Sequence, residues 1–324
     1  MLPTISIIVP AFNEEAVIGE CVQSLVNLDY PEQLLEIIVI DDASTDRTKE
    51  ILSGFSRIQV LSGGHQGPSA ARNRALKLAK GEFVAFTDAD CIVPPEWLKE
   101  LMRGFESDLI AGVGGIQKPR QDASEMELVV DQVFNLLGFV ANYSRKKPQL
   151  GSIDHNASCN VIYRKSVLIE LGGFDEALWP GEDVELDYRI IKAGYRLVQN
   201  PNVAVWHKRP ANFSQFNSMM YKYGQAQAYL VLRYGPFRKI HFIPFVLPIA
   251  LLLFCSGTCI ITLYFGLFKP TLGILLAGLF LLFIFGMRTK VIFSPRALRI
   301  LVATFYQWHK GFYFFLFNRR KMLR

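Results

Sequence analysis

Hydrophobic and polar positions in the first hundred residues come in blocks. Apolar runs of strand length occupy Thr4-Ile5-Ser6-Ile7-Ile8-Val9, Glu36-Ile37-Ile38-Val39-Ile40, 58–61 and Phe83-Val84-Ala85-Phe86-Thr87. Between them the periodicity is helical: Asn13 is placed to cap one helix, with Glu14 and Glu15 in its first turn. A second helix follows Asp46 and runs through Phe55. A third spans Ser69 to Lys80, with Pro68 at a favoured first helical position. Continuous apolar strands with helical spacers imply an α/β fold with a mostly parallel sheet covered on both faces.

After Gly112–Gly115 the pattern changes. Glu125–Tyr143 reads as an amphipathic helix whose apolar face (Met126, Val129, Val133, Phe134) either packs or meets a lipid acceptor. Ser158–Tyr163 and Val203–His207 read as strands, and Lys165–Leu171 as a short helix. Gly172-Gly173-Phe174-Asp175-Glu176 reads as a turn, and a helix opens at Gly181-Glu182-Asp183. Asn212–Tyr234 reads as one long helix. Residues 242–268 are almost wholly apolar and long enough to span a bilayer, 271–287 are near the short limit, and 297–318 are apolar but carry Arg299, His309 and Lys310. These runs predict a multi-pass membrane protein, with two spans and an interfacial or third segment.

The bulk composition supports that expectation. Hydrophobic residues make up 51% of the 324, and the net charge is +6. The basic residues flank the apolar runs, which favours membrane lipid over nucleic acid as a partner. The five cysteines have no zinc-like spacing, so reduced thiols and a cytoplasmic catalytic part are expected. Met1-Leu2-Pro3 leads into a strand without a signal-like stretch.

Candidate chemistry falls at the carboxyl ends of the predicted strands, where open α/β sheets bind ligands. Pro10-Phe12-Asn13, Asp41-Asp42 and Asp88-Ala89-Asp90 should therefore converge on one crevice. Two carboxylates one small residue apart suit a hard cation, which binds through carboxylates plus substrate phosphates. The bland alternative is a turn before Pro94-Pro95.

Six stretches stand in a familiar order: Val9-Pro10-Ala11-Phe12-Asn13-Glu14-Glu15, Asp41–Asp46, Gly67-Pro68-Ser69-Ala70-Ala71-Arg72-Asn73, Asp88-Ala89-Asp90, Gly172–Glu176 and Glu182-Asp183. Together they resemble family 2 glycosyltransferases of the GT-A fold, over residues 4 to about 235. The resemblance implies a nucleotide-sugar half at 1–115, an acceptor and base half at 116–235, and a membrane region at 236–324. It also implies donor contacts from Pro10, Phe12, Glu14, Asp42, Arg72, Asp88 and Ala89. Asp90 and Asp88 would hold Mg²⁺ or Mn²⁺, and Asp183 would be the catalytic base. His207 matches a further metal ligand, or is a packed polar residue. Glu182, Asn156, Ser158 and Trp179 are placed on the acceptor side, with core filling the alternative for Trp179.

The implied donor is a nucleoside diphosphate sugar, UDP-linked for preference. The implied acceptor is a lipid-linked saccharide or polysaccharide, as in cell-envelope glycan biosynthesis. Polyprenyl-phosphate glycosyltransferases generally lack the Gly-Gly-Phe-Asp-Glu and Glu-Asp stretches present here. Processive synthases carry a Gln-x-x-Arg-Trp motif, which is absent here. A catalytically dead scaffold is disfavoured by the intact Asp42, Asp88, Asp90 and Asp183.

Overall fold

The computed structural model describes residues 2–137, 150–246, 249, 253, 256 and 295–322. The chain divides into two compact units, Met1–Ala211 and Asn212–Arg324. The first begins with β1 (Ile5–Ala11), α1 (Ile18–Val26), β2 (Leu35–Asp41), α2 (Thr48–Ser53), β3 (Gln59–Ser62), α3 (Pro68–Leu78) and β4 (Phe83–Phe86). These strands pair in parallel in the order β3-β2-β1-β4. Successive side chains of a strand point to opposite faces, and both faces are buried. Ile7, Val9, Ile37, Val39 and Ala85 pack with Val22 and Leu25 of α1. Ile8, Ile38, Ile40, Val84 and Phe86 pack with Ala71, Ala75 and Leu76 of α3.

The chain continues with β5 (Cys91–Ile92), α4 (Trp97–Met102), β6 (Ile110–Pro119), α5 (Glu125–Leu137), β7 (Gly151–Ile153), β8 (Val161–Arg164), α6 (Lys165–Glu170), α7 (Glu182–Lys192) and β9 (Arg196–His207). The sheet order is β3-β2-β1-β4-β8-β6-β9-β5, with β7 also on β9. The expectation of a mostly parallel sheet is corrected to a mixed one. β8 is antiparallel to both β4 and β6, and β5 and β7 are antiparallel to β9. The reason lies in the segment before β8. Thr87 Oγ1 donates to the Cys159 carbonyl at 3.0 Å, which holds that segment at the carboxyl end of β4. A strand starting there must run back against β4.

Two local readings also change. Gly112–Gly115, after which the sequence pattern changes, lie within β6 itself. A Cβ on Gly112 would overlap the Tyr163 ring, on Gly114 Asn156, and on Gly115 the Val203 carbonyl, so the glycines mark close approach within a strand. Asn13 caps no helix: it sits at φ 56°, and α1 starts at Ile18. Its amide oxygen instead accepts from the Thr45 backbone N–H at 2.8 Å.

In the second unit α8 (Phe213–Tyr234) is capped by Asn212, whose side chain accepts from Gln215 N–H at 3.0 Å. It packs on a 28-residue helix, α9 (Pro295–Met322). Gly224 of α8 faces the Trp308 carbonyl, and Gly311 of α9 faces the Tyr221 carbonyl, so the two backbones meet where side chains are missing.

The multi-pass membrane localisation expected from the sequence is corrected here. Among the described residues no helix is long and apolar enough to cross a membrane. Within α9 the ionic side chains of Arg299 and Lys310 interrupt the apolar pattern, and a charge near a bilayer centre costs about 2.5–3.5 kcal/mol or more. The run at 271–287 and most of that at 242–268 lie outside the described residues.

Replacing Gly115 by Ala should destabilise the first unit by about 1–3 kcal/mol, because the obstacle is partly backbone. Urea unfolding of the full chain measures this.

Candidate active site

The loops that follow β1 and β2 are locked together. Asn13 N–H donates to Ser44 Oγ at 2.9 Å, Glu14 N–H to Thr48 Oγ1 at 2.8 Å, and Arg47 N–H to a Glu15 carboxylate oxygen at 3.0 Å. Beside them Asp42 is buried. Its carboxylate accepts from the backbone N–H groups of Gly64, Gln66 and Gly67 at 3.1, 3.2 and 2.8 Å. Asp42 thus shapes the 63–67 loop. That loop presents His65 against the exposed ring of Phe12, with ring centroids 4.5 Å apart. Pro10, near the end of β1, pairs with Ile40 and is half-buried.

At the end of β4 the Asp88-Ala89-Asp90 stretch meets the last residue of β9. Pairing of Cys91 with His207 sets the register. It brings His207 Nε2 to 3.3 Å from Asp90 Oδ1. His207 Nδ1 lies 3.0 Å from Gln117 Oε1, and Arg209 Nη1 donates to the same oxygen at 2.8 Å. Asp88, Asp90 and His207 each offer a ligand atom within 4.8 Å of the others'. Two carboxylates and an imidazole are a donor set for a Mg²⁺- or Mn²⁺-type ion. Their surroundings fit a cation: the Asp90 carboxyl is held below the usual range by the neighbouring His207 despite its burial, and Asp90 in turn lifts His207 well above the usual imidazole range. Ala89 between the acids is buried and small. Cys91 and Cys159 also lie near His207, but burial holds the Cys91 thiol well above its usual pKa and so protonated.

Arg72, on α3, joins this cluster to the next. It is almost fully buried, donates to Asp88 Oδ1 and to Glu182 Oε1 at 2.7 Å each, and lies 5.5 Å from the Phe174 ring centre. Burial opposes its charge, but the two carboxylates outweigh this and raise its pKa. Glu182 is pushed up to about 7 by burial and by the Asp183 charge beside it, with Arg72 acting against the rise. Asp183 occupies the first turn of α7. Its Oδ1 accepts from Val184 N–H at 2.8 Å and its Oδ2 from Ser158 N–H at 3.2 Å, while the side chain stays 19% exposed and so open to the crevice.

The acceptor-side expectations divide. Ser158 contributes its backbone N–H to Asp183. Asn156 is buried, with its side chain turned toward Gly114 and donating to the Val198 carbonyl, so it braces β6 and β9 rather than lining the crevice. Trp179 is 55% exposed, which rules out core filling. Glu182 faces inward to Arg72. His155, Gln117, Arg209 and His65 were not nominated from the sequence. The Asp154-His155-Asn156 run, beside a stretch already singled out, was the available signal for His155.

Glu14 also belongs to the crevice. Burial and the charges of Asp90 and Asp88 push it up to about 7. A carboxyl with a higher pKa in the fold than in the unfolded chain binds more protons when folded. Its contribution to stability therefore falls as pH rises from about 4.5 to about 7. In chelator-treated protein, the melting temperature should drop less over this window for Glu14→Gln than for wild type. Arg72→Ala should cost about 3–5 kcal/mol in urea unfolding, since it leaves Glu182 buried without its partner.

Known proteins resemble this chain in sequence and in fold. The family model described as "Glycosyl transferase family 2" matches residues 6–172, more than half of the chain. The match includes Asp42, Arg72, Asp88 and Asp90 and stops before Asp183 and His207. The chain is 26% identical over 254 residues to "Dolichyl N-acetyl-alpha-D-glucosaminyl phosphate 3-beta-D-2,3-diacetamido-2,3-dideoxy-beta-D-glucuronosyltransferase" of Methanococcus voltae, covering 74% of this chain and 78% of that one. It is 31% identical over 226 residues to "Beta-monoglucosyldiacylglycerol synthase" of Nostoc sp., covering 64% of this chain and 48% of that relative's length. Among solved structures, "Mannosyltransferase PcManGT from Pyrobaculum calidifontis in complex with GDP-Man and Mn2+" superposes with a TM-score of 0.68 at 20% identity, over 94% of this chain and 88% of that chain. At that identity the likeness shows the fold alone, and the fold is GT-A-like. The chain therefore belongs to the family 2 glycosyltransferases.

Proposed function

We propose that this glycosyltransferase is an inverting, metal-dependent enzyme that moves one sugar from a nucleoside diphosphate sugar to a lipid-linked saccharide or similar acceptor. The observation that carries the reading is the arrangement around Arg72: Asp88, Asp90 and His207 cluster on one side of it, and the Glu182-Asp183 helix start lies on the other. One donor molecule laid across that crevice would have its diphosphate near the acids and its sugar toward Asp183.

The roles follow from the chemistry. Asp88, Asp90 and His207 would hold Mg²⁺ or Mn²⁺. When bound, such an ion neutralises charge growing on the departing diphosphate. Phe12 and His65 border the outer end of the crevice, where a nucleobase would stack. Solved structural neighbours hold GDP-Man with Mn²⁺ in one case and UDP with Mn²⁺ in another, so both UDP- and GDP-linked sugars are the donors to try. The acceptor hydroxyl is a weak nucleophile and needs a positioned carboxylate to take its proton. Asp183 is partly open to the crevice, at the start of α7. Attack opposite the leaving diphosphate inverts the anomeric carbon, through an oxocarbenium-like transition state of the kind met in glycoside hydrolysis. The names of the Methanococcus voltae and Nostoc relatives point to lipid-linked and lipid acceptors, which supports that acceptor class here.

Turnover of UDP- and GDP-linked sugars with a lipid-linked saccharide, measured with and without added Mn²⁺, tests the reading. Asp183→Asn should lower kcat by about 100-fold or more with little change in donor affinity. Asp90→Asn should weaken Mn²⁺ binding, read by calorimetry, by about tenfold or more. Wild-type turnover in Asp183→Asn would remove the base assignment.

A further inference from the structure

Of the three cysteines described, all buried, two lie where the Asp88-Asp90-His207 cluster meets the core. Cys91 is directly opposite His207 in the antiparallel β5–β9 pair, so their side chains leave the sheet on the same face. Cys159 comes from the segment before β8, which Thr87 Oγ1 holds through the Cys159 carbonyl. The sulfurs of Cys91 and Cys159 and a ring nitrogen of His207 all lie within 4.8 Å of one another. Asp90 Oδ1 stands beside them, 3.8 Å from Cys91 Sγ and 3.3 Å from His207 Nε2. Among the described residues two such three-residue ligand sets occur, and His207 belongs to both.

Small buried cysteines often only fill a core. Core filling does not require an imidazole and a carboxylate at the sulfurs, and here both are present, on side chains partly open to the crevice. Two sulfurs and one imidazole nitrogen form a soft set, unlike the oxygen-rich Asp88-Asp90-His207 set. Zn²⁺ and the softer Cd²⁺ favour such ligands, and Asp90 Oδ1 is placed to supply a fourth. Zinc–ligand bond lengths put tetrahedral ligand atoms about 3.6–3.8 Å apart, so the three need to draw together by about 1.2 Å at most. For such ligands affinity rises from Mn²⁺ to Zn²⁺.

We infer that Cys91, Cys159 and His207 form a site for a thiophilic divalent cation, Zn²⁺ or Cd²⁺, whose binding takes His207 away from the Mn²⁺-type ion. The competition rests on the assignment of His207 to that ion, while the sulfur site itself does not. One ring nitrogen cannot hold both cations, and Nδ1 is turned to Gln117 Oε1. Without a soft ion the thiols are protonated. Burial holds Cys91 well above its usual range. A hydrogen bond from Cys91 lowers Cys159, but burial and the charges of Asp88 and Asp90 outweigh it and raise that thiol too. A thiophilic cation deprotonates the thiols it ligates. Two S–H bonds break, two metal–sulfur bonds form, both protons go to solvent, and no electrons change hands. Removing such protons lowers the apparent affinity. The site is therefore one that fills, and inhibits, when soft ions are in excess, and not a resident centre.

Cd²⁺ titration of the full chain under reducing conditions tests this through ultraviolet absorbance, where a sulfur-to-cadmium charge-transfer band reports thiolate bonds. Wild type should gain the band. Cys91→Ala and Cys159→Ala should each lose it or bind Cd²⁺ about tenfold or more weakly. A band of equal size and affinity in wild type and both variants places the ion on other cysteines and overturns the site, as does no band in wild type. In wild type preloaded with Mn²⁺, Cd²⁺ and Zn²⁺ should each release Mn²⁺, read from the paramagnetic resonance of the free ion. A Cd²⁺ band with Mn²⁺ still bound overturns the competition. Failure of Mn²⁺ to bind wild type at all overturns the Mn²⁺-site assignment, and the band still judges the sulfur site. If an alanine variant does not fold, cadmium-edge X-ray absorption decides, on protein carrying Cys255→Ala and Cys259→Ala. Two sulfur neighbours are expected there, and an oxygen-only shell overturns the site.

Discussion

The buried guanidinium of Arg72 is the interaction on which the site depends. Its two carboxylate partners, Asp88 and Glu182, are 94 positions apart in sequence (182 − 88) yet each lies 2.7 Å from it. A charge out of water is expensive unless paired with good geometry. Here the pairing is enforced from three elements, α3, the end of β4 and the start of α7. Phe174 covers the guanidinium, and Nε has no partner among the described residues. Such a bridge contributes little net stability over an apolar packing of equal volume. What it does is fix where two acids sit relative to each other, which an apolar core would not do.

Around that bridge, each acid is tuned by its neighbours rather than by its type. Asp90, beside His207, is held low, and Glu14, facing Asp90 and Asp88 across the crevice, is pushed up to about 7. Glu182 rises to about 7 through burial and Asp183. Crowded carboxylates cannot all ionise without a cation among them. The crevice is therefore a place where positive charge is welcome and bare negative charge is not, as the proposed handling of a diphosphate requires.

Much of the first half was legible in the sequence because its strands are buried on both faces and its helices begin at clear signals. Pro68 opens α3 as expected, and Asp88, Asp90 and His207 do meet. The second half was harder to read, for identifiable reasons. Gly112, Gly114 and Gly115 were not assigned to a strand because the space of their missing side chains is filled by atoms of other segments, which a sequence does not display. The reversal of β8 depends on a bond between Thr87 and Cys159, 72 residues apart. Asn13 carried a capping signal but was used to latch a neighbouring loop. His155 looked unremarkable until Asp183 and Asp187, one turn apart on α7, were seen to flank it. The apolar tail suggested bilayer spans, but the one tail helix described in full, α9, carries charges within its length.

The two-residue strand β5 has an effect out of proportion to its length. It lies at the sheet edge and pairs with the final residues of β9, so the imidazole joins the acids only after the chain has passed Gln117, crossed the sheet and returned. The cluster of Asp88, Asp90 and His207 is therefore complete only when the last strand of the first unit is paired, and a change that loosened the short β5–β9 ladder would separate the imidazole from the acids while leaving the parallel half of the sheet unaltered.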